Sequence, residues 1–237
     1  MGVQERRERE KEYRRNQILN AAEKLFLMYG YENVTMDGIA KECELSKGTL
    51  YLYYKSKEEL FYTLVIKGME ILISMFREGI KEEEDLINKM RKIGKIYLEF
   101  YYKYPGYFKI LNYMGDHKSF NRDSVTGLES ELALKNKELW SIDVELLEEG
   151  KKKGIFKKDF DSFEFSLMIW AASNGLINLL DHLKCNAEIF SEKDVEDYPF
   201  LKINFENTIY NLWERLLGSI LEKPEINLIA NENKKEE

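Results

Sequence analysis

The chain of 237 residues has little of what many enzymes and secreted proteins depend on: 2 Cys, 2 His and 3 Pro. Cys43 and Cys185 make no disulfide framework and suit a reducing compartment. Each lies in or beside an apolar helical pattern, so each is expected to be a small buried hydrophobe. With so few histidines, acid–base catalysis has few candidates, and no nucleophile–His–acid set is visible. The run "GKKKG" lacks the spacing of a phosphate-binding loop. Asp181 and Cys185 share a helix face with His182 beside it, but only His117 stands elsewhere, so no full metal-ligand set forms. The expectation is a protein that is not an enzyme and holds neither metal nor cofactor. No apolar run approaches the about 18 residues of a membrane span. The opening "MGVQERREREKEYRRN" has no apolar stretch behind its charges, and Arg6 breaks a myristoylation pattern. The cytoplasm is the expected location, with no membrane partner.

What is present is charge and helix. A net charge of −7 argues against a protein that coats nucleic acid indiscriminately, yet says little about one surface. Residues 1–57 carry 11 Lys and Arg against 9 Asp and Glu, leaving a net −9 for the remainder. Any surface that faces a polyanion therefore belongs at the N-terminus. Helical periodicity dominates, with no convincing run of alternating strand residues. A first helix is read over about Glu8 to Tyr29, with Ile18, Ala22, Leu25, Phe26 and Tyr29 as its apolar stripe and Gly30 as a left-handed cap. Thr35 can cap a helix from Met36 to Cys43, and Ser46 a helix through Lys47 to about Tyr54. Ser56 caps a fourth that runs to about Gly79. Two short helices joined through Glu44-Leu45 match a helix-turn-helix, whose second helix can enter a major groove.

The remainder reads as Asp85 to Tyr104, stopped by Pro105-Gly106, then Gly106 to Met114, a polar loop at Gly115 to Arg122, and Ser124 to Lys153. "DSFEFSLMIWAASNGLINLLDHL" is apolar almost all round and must be covered on both sides. Ala171, Ala172, Ser173 and Gly175 would allow another helix to approach closely. Lys184 to Pro199 reads as an irregular acidic excursion. "LKINFENTIYNLWERLLGSIL" is a last amphipathic helix, followed by a polar tail.

The segment "RRNQILNAAEKLFLMYGYENVTMDGIAKECELSKGTLYLYYKSKEELF" resembles the N-terminal DNA-binding domain of the TetR family of transcriptional regulators. The resemblance rests on Ile-Leu-x-Ala-Ala-x-x-Leu-Phe, Gly30-Tyr31, Thr35, Ile39-Ala40, Ser46-Lys47-Gly48-Thr49-Leu50-Tyr51 and Lys57-Glu58-x-Leu60. It implies an all-α fold: a three-helix helix-turn-helix domain (1–57, with its charged arm), a larger helical ligand-binding and dimerisation domain (58–221) and a polar tail (222–237). Double-stranded DNA would then be met by Thr35, Ser46, Lys47, Gly48, Thr49, Tyr51, Tyr53 and Lys57. Gly48 lets the backbone come close, Lys47 and Thr49 can read base edges, and the tyrosine hydroxyls suit phosphates or thymine edges. Leu50 and Tyr54 are expected in the core. In the arm, Arg15 is a phosphate candidate, while the interleaved Glu and Arg suggest a solvated helix with internal ion pairs. Glu44 departs from the family pattern, standing where a small residue is common.

The same resemblance implies a homodimer through about 163–183 and 203–221, and an unidentified small-molecule effector. Tyr97, Tyr101, Phe108, Tyr113, Trp140 and Trp170 are candidates for lining its cavity, with Asn174 or Asn178 as polar contacts. The expected function is a ligand-responsive regulator that binds a palindromic operator as a dimer, represses, and is released by the small molecule. The alternative is a helical interaction protein, or a DNA-binding protein outside transcription, without an effector.

Overall fold

A computed structural model of the chain describes residues 2–113, 127–187 and 204–223. The expected loop at 115–122, most of the acidic excursion and the tail from 224 lie outside the described residues. Among those described are nine α-helices and no strand longer than a single bridge, as the all-α reading requires. They are α1 (Val3–Tyr29), α2 (Met36–Glu42), α3 (Lys47–Tyr53), α4 (Lys57–Ile80), α5 (Leu86–Lys103), α6 (Pro105–Tyr113), α7 (Glu129–Lys152), α8 (Ser162–Ala187) and α9 (Phe205–Ile220). No helix among the described residues is long and apolar enough to cross a membrane.

The chain divides into two compact units: Met1–Ser74 with Phe100–Leu139, and Met75–Glu99 with Trp140–Glu237. In the first unit, α1 begins well before the expected Glu8. Once a helix is nucleated each further residue adds a hydrogen bond cheaply, and the Arg- and Glu-rich arm contains no breaker. Its inner face starts only at Ile18, with Leu19, Ala22 and Phe26 buried after it. Gly30 ends it at φ 76° and ψ 156°, which is extended rather than the expected left-handed helical cap. That corner of backbone space is essentially reserved for glycine. Thr35 Oγ1 accepts from Gly38 N and Ser46 Oγ from Thr49 N, each at 3.1 Å, so both expected caps form. The rings of Phe26, Tyr31 and Phe61 meet at 5.0–5.7 Å between centroids, and Tyr113 of α6 joins them. Such offset and edge-on pairs add to simple burial. Cys43 is half-buried rather than enclosed; the side chain of Cys185 lies outside those described.

In the second unit, α9 buries Ile209, Trp213, Leu217 and Ile220. The Trp213 ring lies where a Cβ on Gly94 would fall, 2.7 Å from its nearest atom, so only glycine lets α5 and α9 close here. Trp213 Nε1 donates to Ser173 Oγ at 3.0 Å, and Ser173 in turn donates to the Ile169 carbonyl. Ser173 therefore faces inward, unlike Ala171 and Gly175 of the same small-residue run, which are exposed. Arg91 forks onto Glu214 at 2.8 and 3.2 Å. A bridge of Phe156 with Leu221, which the sequence pattern does not announce, ties the end of α9 to the turn before α8.

Candidate nucleic-acid interface

The candidate surface is built on α3, a helix of two turns held between a turn and an anchor. The turn before it places Glu44 at φ 56°, a left-handed conformation that costs a residue with a side chain about 1–2 kcal/mol. Here is the physical content of the departure noted above: the position favours glycine, and the chain spends stability on a carboxylate. Leu45 N reaches back to Ala40 O at 2.9 Å and fixes the angle between α2 and α3. Leu50 and Tyr54, one turn apart, are both fully buried and pin the inner face. Arg15 lays its guanidinium over the Tyr54 ring, 5.0 Å from the centroid. The arginine read as a phosphate candidate thus packs against the domain's own aromatic.

The outer face follows from that register. Lys47, Gly48, Tyr51, Leu52 and Lys55 are all exposed, Leu52 at 83%. Ser46 is exposed and spends its hydroxyl on the cap; its Oγ lies 2.8 Å from Thr49 Oγ1, and Thr49 and Tyr53 are half-buried. Lys47 Nζ lies 2.7 Å from Asp37 of α2, and this hydrogen bond holds the lysine's pKa above its ordinary value. Both partners are exposed, so solvent screens the pair and holds the lysine only weakly. The ammonium is parked there rather than locked. A Cβ on Gly48 would meet nothing nearer than Ser46 Oγ at 3.9 Å, so the fold itself does not ask for glycine at this position.

Thr35 sits at the start of α2 with its hydroxyl on Gly38 N. Lys57 differs from the other candidates: its Nζ donates to the Tyr31 carbonyl at 2.9 Å and lies 4.1 Å from the Tyr31 ring centroid. It is spent mainly inside the domain, joining α4 to the turn after α1. Leu52 is the surface residue that pattern reading passes over, because leucine at helical spacing reads as core. The signal was its place four residues after Gly48, on the side away from Leu50 and Tyr54.

The eight candidates for an effector cavity divide between the two units. In the first, Tyr101 meets Phe108 at 5.1 Å and Tyr113 packs on Phe61 at 5.9 Å. In the second, Trp140 meets Trp170 at 5.8 Å, and the Tyr97 hydroxyl donates to Asn174 Oδ1. Trp170 is 39% exposed and Asn178 is exposed as well, so these two stand at the surface of α8. Asn174 is buried with its Nδ2 lacking an acceptor among the described residues, and the Ser166 hydroxyl is likewise buried without a partner among them. Asp143 on α7 is half-buried as a residue, but its Oδ1 is shut from solvent with no partner among the described residues, and this desolvation lifts the carboxyl from 3.8 to about 7. Pattern reading missed Asp143, since an acid in an Asp- and Glu-rich helix looks solvated.

Residues 18–63 match the profile of bacterial regulatory proteins, tetR family. That stretch is similar to the helix-turn-helix domain of the TetR family. The UidR transcriptional regulator of Escherichia coli K12 is 39% identical over 67 residues, 28% of this chain and 34% of that protein. The YhgD regulator of Bacillus subtilis is 45% identical over 60 residues, 24% of this chain and 31% of that one. The chain thus spans about a third of the length of the curated relatives it matches. Beyond the TetR-type domain the likeness is one of fold. The fatty acid degradation regulator FadR of Bacillus halodurans superposes with a TM-score of 0.63 at 21% identity, covering 86% of this chain and 94% of that one. FadR of Bacillus subtilis, solved with stearoyl-CoA, gives 0.63 at 21%, over 86% and 98% of the two chains. The ketosteroid regulator KstR2 of Mycobacterium tuberculosis gives 0.58 at 18%, over 89% and 96%.

Proposed function

We propose that the protein is a transcriptional regulator, most simply a repressor in the cytoplasm, that binds a palindromic duplex as a homodimer and is released by a small molecule. The observation that carries this reading is the split of α3 into a buried pair, Leu50 and Tyr54, and a free face of Lys47, Gly48, Tyr51 and Leu52. A helix with its side chains is about 10–12 Å across, and the major groove of B-DNA is about 12 Å wide. Gly48 lets the backbone approach, Lys47 can leave Asp37 for a guanine edge or a phosphate, and Tyr51 offers a hydroxyl. Leu52 offers the apolar contact that a thymine methyl takes.

Dimerisation is supported by α8, where Phe163, Leu167, Met168 and Leu179 stand between 41% and 54% exposed. Effector binding is supported by the unused Asn174 Nδ2, a donor that a ligand carbonyl or carboxylate would satisfy. Because FadR of Bacillus subtilis was solved with stearoyl-CoA, a long-chain acyl-CoA is the first effector to try.

The test is selection of binding sites from random duplexes. An enriched palindrome with half-sites about 34–36 Å apart, or a multiple of that, is expected. No enrichment, repeated after stripping any bound ligand, would overturn the reading in favour of a helical interaction protein.

A further inference from the structure

We propose that the N-terminal extension of α1 is a second DNA-binding element, a helical rail that holds the phosphate backbone beside the groove occupied by α3. The inference rests on the reading of the chain as DNA-binding and assigns a partner to a segment with no place in the core. Residues 4–13 are exposed throughout, and the first buried side chain of α1 is Ile18. The extension is nonetheless helical from Val3, closed at its start by Glu5 accepting from Gly2 N at 3.1 Å and braced by the Arg6–Glu10 ion pair at 3.1 Å. More than two turns of helix are thus kept in shape without burying anything.

The charges are sorted around that helix. Arg7, Lys11 and Arg14 are spaced i, i+4 and i+7 and so lie on one face. Glu5, Glu8 and Glu12 have the same kind of spacing and occupy another face, about a third of a turn away. The sorting is incomplete, since Arg9 falls beside those glutamates and Glu10 beside the basic face, but one side is led by Arg7, Lys11 and Arg14 and another by Glu5, Glu8 and Glu12. The basic side opens onto a groove of about 450 Å³ lined by Arg7, Glu10, Lys11, Tyr13, Arg14 and Tyr53. Tyr53 belongs to α3, so the rail and the recognition helix share one wall. Glu10, the acid in this groove, is paired with Arg6. Arg14 donates to Gln17 at 3.0 Å, a neutral partner that leaves its charge uncompensated. Arg7 and Lys11 form no ion pair among the described residues.

A cationic groove in a chain of net charge −7, continuous with α3, fits a polyanion that is already seated on α3. Arg7 and Arg14 stand about 10 Å apart along the axis, a distance that spans several duplex phosphates. The hydroxyls of Tyr13 and Tyr53 can donate to the same oxygens. Such contacts position the protein and carry no base preference.

The experiment compares wild type with the triple variant R7A/K11A/R14A, titrating a duplex from the site selection and a scrambled duplex over a series of salt concentrations. Alanine is the strongest helix former, so helix content should be retained, and circular dichroism checks it. Each phosphate contact contributes about 0.9 to the slope of log K against log salt. The expected result is a slope shallower by about 2–3 on both duplexes, with their order of preference unchanged. The companion variant E5Q/E8Q/E12Q, altered on the other face, should keep the wild-type slope to within about one contact. An unchanged slope in the triple variant overturns the inference, as does an equal and opposite shift in the glutamine variant, which would report only the general field. Wild type that binds duplexes without preference, but with the slope difference intact, sinks the regulator reading and leaves the rail. Failure of wild type to bind any duplex overturns both.

Discussion

Two helices of this protein, α3 and α8, each leave one side uncovered, and the contrast between those sides separates two kinds of recognition. On α3 the uncovered residues are a lysine, a glycine, a tyrosine and a single leucine, over a core of Leu50 and Tyr54. On α8 they are Leu167, Met168, Ala171, Gly175 and Leu179, over an inner side that carries Ser173 and Asn174. One helix hides its apolar residues and offers mostly donors; the other buries Phe165, Ile169 and Ile177 along with its polar residues and still leaves large apolar side chains outside. A surface of the first kind suits a hydrated polyanion, where specificity comes from hydrogen bonds to base edges. A surface of the second kind is an interface in waiting, since contiguous exposed apolar patches on soluble proteins mark association sites.

The comparison breaks most completely at α8. The double variant L167E/M168E places charges on the apolar side, and a dimer Kd raised by 100-fold or more is expected in sedimentation, with the monomer still helical. A dimer that persists would move the interface elsewhere. Next comes α3: K47A and Y51A each remove an exposed group that the proposed function places in the groove, and each should weaken operator binding by about 1–3 kcal/mol. Gel-shift titration measures the loss, while sedimentation should show the dimer intact. Equal losses on a scrambled duplex would mean that these residues hold phosphates rather than bases.

Smaller effects concern what the two regions conceal. Asp143 is protonated in the folded chain up to about 7, whereas in the unfolded chain it ionises near 3.8. The folded state therefore binds more protons between those values, and the stability that Asp143 costs grows as pH rises from about 4 and is fully felt above about 7. D143N should raise stability by about 1–2 kcal/mol at pH 8 and by nearly nothing at pH 4, read by urea denaturation. A gain of equal size at both pH values would rule out the ionisation account. Smallest of all, E44G should relieve the positive φ before α3 and stabilise the first unit by about 0.5–1 kcal/mol, since glycine's own chain entropy offsets part of the relief. A loss instead would show that the Glu44 side chain makes a contact of value.

How much of this could be read from the sequence differs between the same two regions. The caps at Thr35 and Ser46 and the core positions Leu50 and Tyr54 were legible because each depends on neighbours within four residues. The turn between α2 and α3 was legible on the same local grounds, as a tight connection at Glu44-Leu45. The contacts that Lys57 and Arg15 make inside the domain were not legible for the opposite reason: their partners, the Tyr31 carbonyl and ring and the Tyr54 ring, are far along the chain. Leu52 was passed over because hydropathy alone reads leucine as core, although its helical phase relative to Leu50 and Tyr54 placed it outside. In the second unit, periodicity located the helices but could not say which side of an all-round apolar α8 turns inward. That is decided by single long-range events, such as Trp213 reaching Ser173 across Gly94.

That tryptophan has an optical consequence. All 3 tryptophans of the chain, Trp140, Trp170 and Trp213, lie in the second unit, while most of the 15 tyrosines, from Tyr13 to Tyr113, lie in the first. Indole emission is therefore blind to the helix-turn-helix, and phenol emission reports chiefly on the first unit as a whole. Trp213, sealed against Gly94, should emit to the blue, and Trp170, 39% exposed, to the red. A single unlabelled sample thus carries separate colours for its two halves and, within the second, for its interior and its rim.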